Sequence, residues 1–164
     1  MRTPFFISAA VFVAIPQLAQ AEIVQLFPVK DNTLYQDPTG SLSNGSGQYL
    51  FAGRTAQADA QSRRRALLQF DLSGIPSGSQ IVSASLQMYM SRTATSSTTV
   101  ALHRALASWG EGASDAPAEE GGGAPSAPGD ATWLHRSFPG LSWSSAGGDF
   151  ESTASQSITV VGLG

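Results

Sequence analysis

The chain contains no cysteine, so neither a disulfide frame nor thiolate chemistry is open to it. Lysine occurs once, at Lys30, every other base is an arginine, and the formal net charge is −3. That balance excludes the basic surface of a nucleic-acid binder. Histidine is confined to His103 and His135, and no G-x-S-x-G elbow is present. Nucleophilic catalysis therefore has neither a cysteine nor a serine elbow to start from, and only two candidate histidine bases. Helical periodicity never persists over ten residues, and beyond the N-terminus no apolar run is long enough to cross a bilayer.

What is there begins with a leader. Arg2 gives a short positive start, residues 5–15 form an apolar core, Pro16 breaks it, and Ala19-Gln20-Ala21 is a small-residue cleavage site. This is the pattern of a secretory signal peptide over residues 1–21. It places the mature protein outside the cytoplasm, extracellular or periplasmic, starting at Glu22. Loss of Arg2 takes the charge from −3 to −4. About 143 residues remain, enough for one domain with its own core, residues 22–164. Neither nucleic acid nor, after cleavage, a membrane is an expected partner.

Residues 64–90, RRALLQFDLSGIPSGSQIVSASLQMYM, read as strand, turn and strand. Ala66, Leu68, Phe70 and Leu72 alternate with Leu67, Gln69 and Asp71. Val82, Ala84, Leu86, Met88 and Met90 alternate with Ser83, Ser85, Gln87 and Tyr89. The linker SGIPSGS supplies proline and glycine for turns. Leu68, Phe70, Leu72, Leu86 and Met88 are expected in the core. Further short strands are expected at residues 22–27, 48–51, 98–106, 132–135 and 157–161. Many short strands between turn signals indicate an all-β fold, an antiparallel β-sandwich of jelly-roll type. Residues 110–130, GEGASDAPAEEGGGAPSAPGD, hold little apolar content and read as a long mobile surface loop. Residues 158–161 begin a strand that Gly164 ends, so the domain is expected to be incomplete at its C-terminus.

Few residues invite chemistry. His103 is expected to be a structural, hydrogen-bonding histidine. Asp71, Glu111, Asp130 and Asp149 could form a glycosidase pair on paper, but turn carboxylates commonly cap backbone N–H groups. No motif positions an acid and a base, so the chain is expected not to be an enzyme. Asp31, Asn32, Asp37 and Asn44 offer hard oxygens in one turn-rich stretch, either as a structural calcium site or as Asx-turn residues. Sugar binding calls for flat aromatic faces beside planar polar groups. Trp109, Trp133 and Trp143 are candidates, against packing over the core edges, and Trp143 is the best placed for an exposed platform. The run Arg63-Arg64-Arg65 reads as a solvated strand start or as ion-pair partners. For an acidic glycan, Arg64, Arg65, Arg104 and Arg136 would offer bidentate bonds to carboxylates.

Four blocks in order, DNTLYQDPTGSLSNGSGQYLFAG (31–53), RRALLQFDLSGIPSGSQIVSASLQMY (64–89), HRALASWGEG (103–112) and GDATW (129–133), resemble the DNRLRE-type domain, carbohydrate-binding module family 96. The resemblance implies a secreted jelly-roll module, attached to polysaccharide-degrading enzymes or found in large surface proteins. It also implies an acidic ligand such as alginate, and a further Trp-containing segment that this chain lacks after Gly164. The expectation is a non-catalytic carbohydrate-binding module. The alternatives left open are a structural or adhesive extracellular module, and an accessory fragment of a polysaccharide lyase or hydrolase.

Overall fold

A computed structural model of the chain describes residues 21–55, 62–93 and 95–162. Residues 1–20 of the expected signal peptide, and part of the polar stretch between residues 53 and 62, lie outside them. The described residues form an all-β structure without a helix. Its strands are β1 Pro28–Tyr35, β2 Leu42–Ser43, β3 Gly53–Arg54, β4 Arg63–Phe70, β5 Ser97–Leu102, β6 Ala124–Pro125, β7 His135–Ser137, β8 Leu141–Ser142 and β9 Gln156–Val161. All pairings are antiparallel: a three-stranded sheet β1-β4-β3 and the pairs β2-β6, β5-β9 and β7-β8.

β4 forms where the alternation predicts it, but its partners differ from the expected hairpin. One edge carries β1, from Pro28↔Phe70 to Tyr35↔Arg64, and the other carries β3, with Gly53↔Arg64 and Arg54↔Arg63. β3 takes only the Arg63–Arg64 end of its edge, and residues 80–90 form no strand among the described residues. Leu72, Leu86 and Met88 are accordingly exposed rather than core. Residues 22–27 and 48–51 also lie outside any strand, whereas β5 and β9 fall within two residues of their expected starts.

The core is built by the other face of β4. Leu34 stands opposite Arg65 and shares its face, so Leu34, Arg65 and Leu67 turn the same way. Leu34 joins Trp109, Ala131, Trp133 and Trp143 in one buried cluster, with Leu67, Ala107 and Leu134 packed against it. Aromatic bulk thus comes from loops flanking the sheets, while Leu68 and Phe70 stay only partly buried. On the opposite face Tyr35 packs against Phe51, ring centroids 6.4 Å apart, and under the Arg64 guanidinium, 4.9 Å from the ring.

Residues 110–130 are anchored rather than free. Their buried groups are carboxylates and small side chains, not the large apolar residues that composition counts. Glu120 and Asp130 are both buried, as are Ser114, Ala116 and Ala124. Asp130 accepts from the N–H groups of Ala113 at 2.9 Å and Ala127 at 2.6 Å, folding the segment onto itself. Gly112 adopts φ 79° beside that carboxylate, and a Cβ there would overlap Asp130 Oδ1. β6 closes the segment against β2, with Ser43↔Ala124.

Candidate functional site

The carboxylates do structural work. Glu120 accepts from Gln48 N at 2.9 Å, Tyr49 N at 2.8 Å and Asn44 Nδ2 at 2.9 Å. Burial pushes its carboxyl up, and these donors outweigh burial to hold it below the usual glutamate range. Tyr35 Oη donates to the Glu120 carbonyl at 2.8 Å, and burial pushes that phenol up to about 12, so it stays protonated and keeps donating. Asp37 accepts from Ser41 N and from the Thr39 hydroxyl, both at 2.7 Å. Asp149 accepts from Ser144 Oγ at 2.6 Å and Ser144 N at 3.0 Å, which lower its carboxyl. Asp71 caps its own turn through Ser73 N at 2.9 Å.

Of the four residues considered for calcium, Asn32, Asp37 and Asn44 hydrogen-bond protein groups through their side chains. Asn32 Oδ1 accepts from Ser43 Oγ and Asn44 N, while Asn32 Nδ2 donates to Glu111 O at 2.6 Å. Asn44 Oδ1 accepts from Ala116 N at 2.9 Å, and Asp37 is spent in its own turn. Asp31 stands beside Glu111, and burial, then the Glu111 charge, raises its carboxyl. Among the described residues no group of three or more His, Cys, Asp or Glu is placed to share a metal ion.

All three tryptophans are core residues. Trp143 was the expected platform but is only 6% exposed, and its Nε1–H donates to Thr132 O at 2.9 Å. Burial serves its ring and the bond serves its one polar atom, so neither is left for a ligand. Trp109 and Trp133 are equally enclosed. His103 Nδ1 meets Glu151 O at 2.8 Å, and its ring stands edge-on to Phe150.

The arginines behave differently. Arg64 is buried against Tyr35 and faces away from the rest. Arg65, Arg104 and Arg136 each act on a different residue of the 149–151 stretch, Phe150, Glu151 and Asp149 in turn. The Arg65 guanidinium lies 4.7 Å over Phe150 and 5.0 Å over Trp133, and donates to Gly147 O at 2.6 Å. Arg104 pairs with Glu151 at 2.8 Å. Arg136 bonds Ser108 O at 3.2 Å, and its charge helps hold Asp149 ionised.

Two further arginines share the sheet with Arg65. Arg54 and Arg63 are direct cross-strand partners on β3 and β4, so their exposed side chains leave the same face, and Arg65 follows two residues on. Burial, then the Arg63 charge, pulls the Arg65 guanidinium below the usual arginine range. No carboxylate pairs with Arg54 or Arg63 among the described residues. Like charges opposed across a ladder repel. An anion between them would turn that cost into attraction. Arg63 was visible in the sequence as part of a run. Arg54 was not, because only the β3–β4 register brings it alongside.

Neither the curated proteins nor the solved structures yield a match to this chain. A family model, that of carbohydrate-binding module family 96, matches residues 22–114, from before β1 to just past the third block read from the sequence. Arg54, Arg63, Arg65 and Arg104 fall inside the match, and Arg136 and Phe150 beyond it. The chain belongs to carbohydrate-binding module family 96.

Proposed function

We propose that the protein is an exported, non-catalytic module of jelly-roll type that binds an acidic polysaccharide such as alginate. Family membership supports the carbohydrate. The acidic character rests on one observation: Arg54 and Arg63 oppose each other on the β3–β4 face without a carboxylate partner among the described residues, beside Arg65. Guanidinium groups grip carboxylates with two parallel hydrogen bonds, and a row of them matches the repeated charge of a polyuronate. Arg104, paired with Glu151, and Arg136, bonded to Ser108, lie outside this row, and buried Arg64 and the three buried tryptophans support the scaffold.

Affinity electrophoresis tests this reading. Alginate and pectin should retard the protein and a neutral glucan should not, and retardation should weaken with added salt because exposed charges are screened. The double variant Arg54→Ala/Arg63→Ala should lose most of the retardation while keeping the wild-type tryptophan fluorescence. Equal retardation by the neutral glucan, or an unaffected double variant, would overturn it.

A further inference from the structure

The stretch that carries Phe150 is fixed from its backbone outward. Leu106 N donates to Asp149 O and Glu151 N to Arg104 O, both at 2.9 Å, and Ala105 and Phe150 form an antiparallel bridge between these bonds. His103 Nδ1–H donates to Glu151 O at 2.8 Å, because a carbonyl only accepts, and the imidazole stands at 69° to the Phe150 ring with 5.3 Å between centroids. The Arg65 guanidinium covers one face of that ring, 4.7 Å from its centroid. Phe150 nonetheless keeps 37% of its surface exposed. An apolar ring held this firmly and still open to water is preorganised for a ligand.

Arg65 joins this ring to the β3–β4 face. Arg63 and Arg65 alternate along β4 and leave it on one side, about 7 Å apart along the strand. Arg54 stands directly across from Arg63. Burial and then the Arg63 charge lower the Arg65 guanidinium, which puts the two side chains within reach of each other. Arg65 itself is held between Phe150 and Trp133 and on Gly147 O. Along one face the order is therefore Arg54, Arg63, Arg65 and Phe150. We propose, resting on the acidic-glycan reading above, that Phe150 is the sugar-stacking platform of that site: the side of its ring away from Arg65 takes the C–H face of one uronate, while Arg54 and Arg63 hold the carboxylate of another along the same chain. The arginines alone grip any polyanion. A flat apolar ring selects the one whose repeating unit has an apolar face, and the three tryptophans are too enclosed to do so. Phe150 lies outside residues 22–114, so family membership does not assign it this role.

Two polymers separate the ring from the charges. Alginate carries carboxylates on sugar rings, and polyacrylate carries them on a chain without sugars. Titration calorimetry of the full chain with each measures the two contributions. Phe150→Leu keeps an apolar side chain against Arg65 and removes the flat face. It should weaken alginate binding about threefold to tenfold, the range of a single aromatic stack, and leave polyacrylate binding unchanged. Phe150→Trp should bind alginate at least as tightly as wild type. Arg54→Ala/Arg63→Ala should weaken both polymers. Unchanged tryptophan fluorescence checks that Trp133 keeps its packing in every variant. Wild-type affinity of Phe150→Leu for alginate, with the arginine pair still required, would overturn the platform and leave the acidic-glycan reading standing. Equal losses on both polymers would overturn it too, since the ring would then act only by placing Arg65. A wild type that binds neither polymer would instead sink the reading on which the platform rests.

Discussion

Replacing Glu120 by alanine asks whether a glycine-rich segment can be held by one buried carboxylate. Glu120 is 5% exposed, and its oxygens receive three donors, from Asn44, Gln48 and Tyr49. Truncation removes three charge-assisted bonds and leaves their donors unpaired. Such a bond contributes about 1.5–3 kcal/mol net, and three bonds sharing one acceptor do not add fully, so the expected loss is about 3–5 kcal/mol. A typical domain has only about 5–15 kcal/mol to lose. Glu120→Gln keeps the volume and one acceptor but turns an NH₂ group toward a donor, and should cost about 2 kcal/mol. Urea titration followed by fluorescence of the three buried tryptophans measures both variants. The pH dependence adds a second check. Because Glu120 is held below its ordinary value, its stabilising contribution is full above the unfolded value and fades as pH falls through the folded one. The gap between wild type and Glu120→Gln should be widest near neutrality and close below about pH 4. Glu120→Ala within about 0.5 kcal/mol of wild type, the range of ordinary surface changes, would refute the reasoning, as would a gap that ignores pH.

Gly112→Ala combines φ 79° with a Cβ on the Asp130 carboxylate, and thermal unfolding should show a loss of about 2 kcal/mol or more. Trp143→Phe removes the bond to Thr132 O and part of the core, costing about 1–3 kcal/mol, yet should leave retardation by alginate unchanged wherever the variant is folded. Asp31→Asn should raise the melting temperature at neutral pH. Burial and Glu111 raise the Asp31 carboxyl, so its ionised form costs stability, and the difference should vanish as acid protonates the wild type.

Much of the fold was legible where local pattern and neighbours agree. β4 follows from the alternation around Leu67 and Leu68, and the turn roles of Asp37 and Asp71 follow from Asx chemistry. The pairing was not legible. Residues 80–90 have the period of a strand, but period does not say that β4 pairs with β1 and β3 instead. That same pairing hid the core face, since Arg65 and Leu67 look outward until Leu34 and the tryptophans come to meet them. Composition failed for residues 110–130 because burial there depends on two carboxylates finding backbone donors. Spacing likewise could not show that Trp143 has an acceptor waiting, or that Arg54 lies opposite Arg63.

The anchoring of residues 110–130 also fixes an order of events as the chain is made. Tyr35 finds its acceptor 85 residues later and Asn44 finds its carboxylate 76 later, while Ser43 waits 88 residues for Ala131. At a synthesis rate of about 5–20 residues per second, those partners lag by roughly 4–18 s. The β1–β4 ladder spans a much shorter stretch and is available first, with one face still wet and its polar groups bound to water. Closure is then a late, single event that awaits the last third of the chain. A nascent chain stalled before residue 120 would hold a sheet without a lid, a form for chaperones to recognise.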